Sequence, residues 1–418
     1  MSAVNTVLES DLFTQLSVDW ICMKKNRWTI LTFVVINNMF AFALPSMALS
    51  VLSKQIAADL GMSVVQLGIL WGSVSILSIF SSFFGGAIVD KVGPKNMLII
   101  FGLMTGILGI ARALTQSFYP MIAVTMALGA IAPFLTLSNF KIFHDYFSKD
   151  EIVLANGFMS AGMALGFLLG AQLSATVLAP LLGGWRNVFI LYSGSGMLMS
   201  LVWLRLLPTS YHVSEHSQPS IFSAIGDVVK NPSVWFMGFG ILGVNGAING
   251  VLGYLPFYLQ DIGWSINSAS ASLTVFHTTS LIFTMPIVLY SSRVLARRNA
   301  TLMAGTSIFL GFLLLTFATG WVVWPAVVLA GFSRDGFMAL FFTQVSETRG
   351  VKQAMIATAI GMTMMLNGLG SIFSPPAGNA FEAISPAAPF GFWAALALSG
   401  VICLAIVAWK ETRPEIGV

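Results

Sequence analysis

The stretch "GGAIVDKVGPKN", Gly85 to Asn96, lies between the apolar runs "VVQLGILWGSVSILSIFSSFF" and "MLIIFGLMTGILGIA". Each run belongs to a segment of about 20 residues. At about 1.5 Å of rise per residue, a helix of that length spans the hydrocarbon core of a bilayer. Between them Asp90, Lys91 and Lys95 are set among Gly85, Gly86, Gly93 and Pro94. Glycine and proline stop a helix, and the charges hold the turn at the water interface.

Composition agrees with that reading over the whole chain. Of 418 residues 9% are charged and 56% are hydrophobic, against about 25% charged in soluble domains. So few charges cannot cover a soluble domain of this size, so the chain reads as an all-α polytopic membrane protein. With 20 basic and 16 acidic residues the net charge is small, and no basic tract points to nucleic acid. Cys22 and Cys403 stand near opposite ends, and His144, His212, His216 and His277 have no ligand spacing. No metal site, cofactor or catalytic cluster is therefore expected, and the chain does not read as an enzyme. There is no Gly-x-x-x-x-Gly-Lys-Ser/Thr phosphate loop, hence no nucleotide engine. The first apolar run begins at Trp28 and is too long for a cleavable signal.

Twelve spans follow at 28–52, 64–88, 96–115, 119–143, 153–179, 187–207, 233–259, 267–291, 299–319, 321–345, 355–381 and 387–409. Residues 1–27 repeat Leu8, Leu12, Leu16 and Trp20 every four positions, either an amphipathic surface helix or a frayed tail. The linker 208–232 divides the chain into six-helix units at 28–207 and 233–409, followed by the tail 410–418. Gly157 and Gly166 are matched by Gly361 and Gly370 at a constant offset, a weak sign of an internal repeat. Fifteen of the twenty Lys and Arg residues fall in loops on the side of the N-terminus. The positive-inside rule then puts both termini in the cytoplasm and the protein in the plasma (inner) membrane.

Polar side chains at mid-bilayer need partners or a wet cavity. They fall at Asn37 and Asn38 in the first span, Asn245 and Asn249 in the seventh, and His277 in the eighth. Arg334 and Asp335 lie in the tenth span and Asn367 in the eleventh. Each amide is either a helix-to-helix hydrogen bond or a substrate contact. Neighbours on a helix point about 100° apart, so Arg334 and Asp335 are not expected to pair face to face. Arg334 is a permanent cation suited to a carboxylate. Asp335 and His277 are candidates for carrying a proton, or form fixed structural contacts. Arg112 and Arg205 stand near span ends, where long side chains reach the interface.

Gly86-x-x-x-Asp90-Lys91-x-Gly93-Pro94-Lys95 resembles the loop after the second helix of major facilitator superfamily transporters, with Pro94 replacing a basic residue. That resemblance implies two pseudo-symmetric six-helix bundles that rock about a central site. It also implies that Gly86, Asp90, Lys91, Gly93 and Lys95 form a conformational latch. Helices 1, 4, 7 and 10 would line the cavity, while 2, 5, 8 and 11 would gate it. The expected function is secondary transport by a monomer in the lipid bilayer, without cofactor. "GGWRNVF" (Gly183–Phe189) and "GYLPFYLQDIGWS" (Gly253–Ser265) resemble branches carrying cyanate-like or small organic acids. The fifth span lacks the Gly-Pro signature of drug–proton antiporters. The expected cargo is a small organic anion or oxyanion moved with protons. An exporter of amphipathic drugs and a non-transporting receptor of the same fold are the alternatives.

Overall fold

The computed structural model describes residues 27–207, 228–293, 297–351 and 355–412. Twelve long helices account for most of them. They are α1 Arg27–Val51, α2 Val64–Val92, α3 Pro94–Ala113, α4 Phe118–Tyr146, α5 Lys149–Leu173 and α6 Trp185–Leu206. After the linker come α7 Pro232–Asp261, α8 Ile266–Arg293, α9 Arg297–Phe317, α10 Gly320–Glu347, α11 Ile356–Ala380 and α12 Ala388–Thr412. Eleven segments are long and apolar enough to cross a membrane. The helix outside that set is α11, which carries Asn367, Gly361, Gly368, Gly370, Gly378 and the pair Pro375-Pro376. Residues 1–26 of the expected amphipathic segment 1–27, residues 208–227 of the linker 208–232 and the tail from 413 lie outside the described residues.

The hinge between α2 and α3 is shorter than the composition of residues 85–96 suggests. Helix α2 runs through Gly85 to Val92, and Gly93 alone leaves helical geometry, at φ 86°, before Pro94 starts α3. Proline suits the first helical position, where no intrahelical N–H is required. Gly85 serves packing rather than termination: a Cβ there would stand 2.7 Å from Cδ1 of Leu137 on α4.

Prolines shape two helices of the N-terminal half. Pro45 has no N–H for the carbonyl of Ala41, and α1 widens into a π-turn over Met39–Ala43 just before it. The same happens in α5, where a π-turn at Ser174–Leu178 precedes Pro180 and the chain continues as helix to Leu182. A widened turn re-pairs the carbonyls that a proline leaves without donors.

The halves repeat one packing device. Gly166 of α5 lies against α1, with Cβ space only 2.6 Å from the Ala43 methyl. Gly370 of α11 lies against α7, 2.7 Å from the Leu242 carbonyl oxygen. Gly157 and Gly361 meet nothing within 4 Å. Half of the expected glycine repeat is therefore a true close approach, the small-residue contact that lets membrane helices touch.

Between the halves, α2 packs on α11 and α5 on α8. Hydrogen bonds join them at the end remote from the chain termini. Lys54 Nζ donates to the Gln260 carbonyl (3.0 Å) and meets Asp261 (3.3 Å), and Asn379 Nδ2 donates to the Val64 carbonyl (2.7 Å). Ser50 Oγ donates to the Leu252 carbonyl, and Thr274 Oγ1 donates to Gln172 Oε1 at 3.2 Å. The largest apolar core runs through both halves, including Leu44, Leu70, Val251 and Phe276. Near the termini the N-terminal half has a separate cluster built on Ile30, Leu98, Phe143 and Trp203.

Candidate functional site

Helix α10 is discontinuous. Its first α-helical part ends at Gly331, and a new one starts at Arg334 after a turn at Phe332 and Ser333. Gly331 permits the break to sit against α8, since a Cβ would fall 2.6 Å from the Phe276 carbonyl oxygen. The restart places Asp335 in the first turn of a helix, where free N–H groups favour a carboxylate. There Ser280 of α8 donates to Asp335 Oδ2 at 2.7 Å and accepts from the Asp335 N–H at 3.1 Å.

Contrary to the sequence expectation, Arg334 and Asp335 do pair directly, through Arg334 Nη1 and Asp335 Oδ1. The 100° rule concerns residues inside a helix. At a helix start, with a turn behind it, the long arginine folds back over its neighbour. The pair is only partly buried, with side chains 21% and 30% exposed. One helical turn before Ser280, His277 is 1% exposed and neither ring nitrogen has a partner. Its ring stacks on Phe167 of α5, 5.2 Å between centroids, and so touches the other half. Arg334, Asp335 and His277 lie within Coulombic reach of one another.

The amides of the C-terminal half bond to one another across α7 and α11. Asn245 Nδ2 donates to Asn367 Oδ1 at 2.7 Å, and Asn249 Nδ2 donates to Ser371 Oγ at 3.2 Å and to the Asn245 carbonyl at 2.9 Å. Gly246 against Gly370 brings the two helices close enough for this ladder. In the N-terminal half Asn38 lines a cavity, its Nδ2 donating to the Val34 carbonyl at 2.8 Å. Asn37 is 1% exposed, with neither side-chain atom hydrogen-bonded.

That cavity, about 470 Å³, is lined by residues of α1 to α6, among them one that the sequence placed at a span end. Arg112 does not reach an interface; it is 6% exposed and its guanidinium lies 4.2 Å from the Phe189 ring centroid. The physical reason is the glycine face of α3. Gly102, Gly106 and Gly109 pack on Ser200, Met197 and Ser193 of α6, and Arg112 continues that face one turn later. The glycines at helical spacing were visible in the sequence and could have marked Arg112 as inward-facing. Ser280 had no comparable signal among so many serines.

Of the expected latch, Gly93 forms the break and Lys91 is exposed. Lys95 Nζ donates to the Leu204 carbonyl at 3.1 Å and to that of Leu207, and so caps α6 of its own half. Gly86 lies within α2, and the Asp90 side chain falls outside what the structure describes.

Twelve long helices with a broken α10, glycine-packed pairs α1–α5 and α7–α11, and contacts α2–α11 and α5–α8 between halves define the arrangement. The family Major Facilitator Superfamily matches residues 30–375. The chain belongs to it. Among Major Facilitator Superfamily relatives it is 26% identical over 238 residues to the probable L-galactonate transporter of Escherichia coli (strain K12), covering 51% of this chain and 50% of that protein. It is 22% identical over 255 residues to the hexuronate transporter of Bacillus subtilis (strain 168), covering 59% of this chain and 60% of that one. The matched region thus spans about half to three-fifths of these two relatives. A crystal structure of the nucleoside transporter NupG superposes with a TM-score of 0.76 at 17% identity, covering 92% of this chain and 100% of that one. At that identity it shows the superfamily fold, twelve helices in two six-helix bundles.

Proposed function

We propose that this superfamily member is a proton-coupled secondary transporter of small organic anions, working by alternating access around the Arg334–Asp335 pair. The observation that carries the reading is the pairing itself: one cation, one titratable carboxylate and a serine hydroxyl, held within spanning helices. With Asp335 ionised, the guanidinium is neutralised and holds no substrate strongly. When Asp335 takes up a proton on a carboxylate oxygen, Arg334 is released to pair with a substrate carboxylate. Loss of that proton restores the internal pair and expels the anion, so proton and anion move in the same direction. His277, with both nitrogens unpartnered and its ring on α5, passes the proton and reports on the approach of the halves. The substrate is of the acid-sugar kind for which the two relatives are named.

The excess of Lys and Arg in loops on the side of the N-terminus supports a reading with both termini in the cytoplasm. The hydrogen-bonded end is then the outer end, and this conformation is closed to the outside. The Gly93 break and Asp90 serve as the inner latch.

Uptake into proteoliposomes tests the reading. Arg334→Ala abolishes uptake of galactonate or glucuronate, whereas Asp335→Asn keeps counterflow exchange and loses accumulation driven by a pH gradient. Wild-type uptake by Arg334→Ala removes Arg334 from the site. Binding without accumulation by the wild type identifies a receptor.

A further inference from the structure

Arg112 has no part in the scheme above. Among the described residues it is the one buried Lys, Arg, Asp or Glu. No carboxylate among the described residues pairs with it, and its Nε has no acceptor among them. A buried charge without a partner is costly, and the cost is offset only where a ligand or water completes it. Phe189 beneath the guanidinium contributes a cation–π contact but takes up none of its N–H groups.

The cavity beside Arg112 has a definite chemistry. Its volume, about 470 Å³, falls within the roughly 300–1,000 Å³ usual for small-molecule sites. Six lining hydroxyls, on Ser46, Ser78, Ser82, Thr105, Thr125 and Thr136, each donate to a carbonyl of their own helix. Their protons are committed and their lone pairs remain, so the wall presents hydrogen-bond acceptors. A guest that fits must bring donors for those acceptors and an anion for the guanidinium. Sugar hydroxyls supply the first and a carboxylate supplies the second. Helices α2 and α5, which contribute Ser78, Ser82 and Met163, are among those that pack on the C-terminal half. The pocket therefore borders the region between the halves.

We propose that Arg112 and the hydroxyl-lined cavity of the N-terminal half form a second binding site for a small polyhydroxy carboxylate, separate from Arg334, with the carboxylate on the guanidinium. The proposal deepens the transport reading and rests on it for the biological role of the ligand; the site itself is measurable by binding alone.

The experiment uses full-length purified protein and four probes: galactonate, galactitol (hydroxyls without carboxylate), acetate (carboxylate without hydroxyls) and chloride. Equilibrium titration is expected to show galactonate bound roughly tenfold or more tightly than any of the others. Arg112→Met should lose that binding component and Arg112→Lys should weaken it, while Arg334→Ala should retain it. Failure of the transport reading appears in Arg334→Ala uptake and leaves these titrations untouched. Wild-type protein supplies a measurement that does not depend on a variant folding. Phenylglyoxal modifies guanidinium groups it can reach, and Arg112 lines the cavity through which the reagent would enter. Galactonate, but not galactitol, should slow its addition to Arg112 as read by peptide mass spectrometry, against a baseline in which Arg112 of the ligand-free protein is labelled. Equal labelling with and without galactonate overturns the proposal. So does unchanged galactonate binding in folded Arg112→Met, or equal affinity for galactonate and chloride.

Discussion

Arg334 and Asp335 set a limit on what side-chain periodicity can say. Spacing on an ideal helix separates adjacent residues by about 100°, and from that rule the two were not expected to pair face to face, so that at least one needed another partner. The structure pairs them because a turn at Phe332 and Ser333 frees the start of the second helical segment. Nothing in "AGFSRDGF" announced that break, since Gly331 is equally at home within a membrane helix. That two opposite charges stand together in the middle of a span was legible; their geometry was not. The pairing predicts a thermodynamic signature. Removing one partner strands a partly buried charge, so Arg334→Ala should lower unfolding free energy by about 1–3 kcal/mol, discounted from fully buried pairs because both side chains keep contact with solvent. The double variant Arg334→Ala/Asp335→Asn should recover most of that loss. Thermal unfolding of the four proteins closes the cycle. Additive losses would show that the two groups do not interact in the folded state.

Helices were legible from hydropathy because the bilayer demands about 20 apolar residues per span, and all twelve expected spans coincide with long helices. Helix-to-helix contact was less so, because a glycine in sequence looks the same whether it touches a neighbour or faces open space. Gly166 and Gly370 are close approaches, while Gly157 and Gly361 at the same offset meet nothing. The element scale offers a contrast between Gly129 and Gly157. A Cβ at Gly129 of α4 would stand 1.9 Å from the Val74 carbonyl oxygen of α2, which is backbone and cannot rotate away. Gly129→Ala should therefore push α4 from α2 and cost about 1–3 kcal/mol as overpacking does. Gly157→Ala, at an open helical position, should be neutral or stabilise by up to about 1 kcal/mol. Melting temperatures in one detergent decide it, and a stabilised Gly129→Ala would contradict the packing described for α2 and α4.

For the whole molecule to alternate, the bonded end must part. Helix α2 leaves α11 there only by separating Gly72 from the Ile372 carbonyl and Gly68 from Pro375 and Pro376, where an added Cβ would sit 2.6–2.8 Å from backbone. The polar links are individually weak. The Lys54–Asp261 pair has side chains 39% and 45% exposed, and such pairs contribute about 0–1 kcal/mol. A gate held by several weak links suits a carrier, because a substrate or proton with a few kcal/mol of differential affinity can shift it. Lys54→Ala should move the closed-to-open ratio by up to roughly fivefold. Gly72→Val, which drives a side chain into the Ile372 carbonyl, should open that end further. Spin labels at Ser63→Cys and Ser265→Cys, with Cys22 and Cys403 replaced by serine, report the separation by double electron–electron resonance. Wild type should show mostly the short distance, Lys54→Ala a larger long-distance fraction, and Gly72→Val the largest. One unchanged distance in all three proteins would mean that this end is not a gate, and the rocking of two halves about Arg334 would lose its mechanical basis.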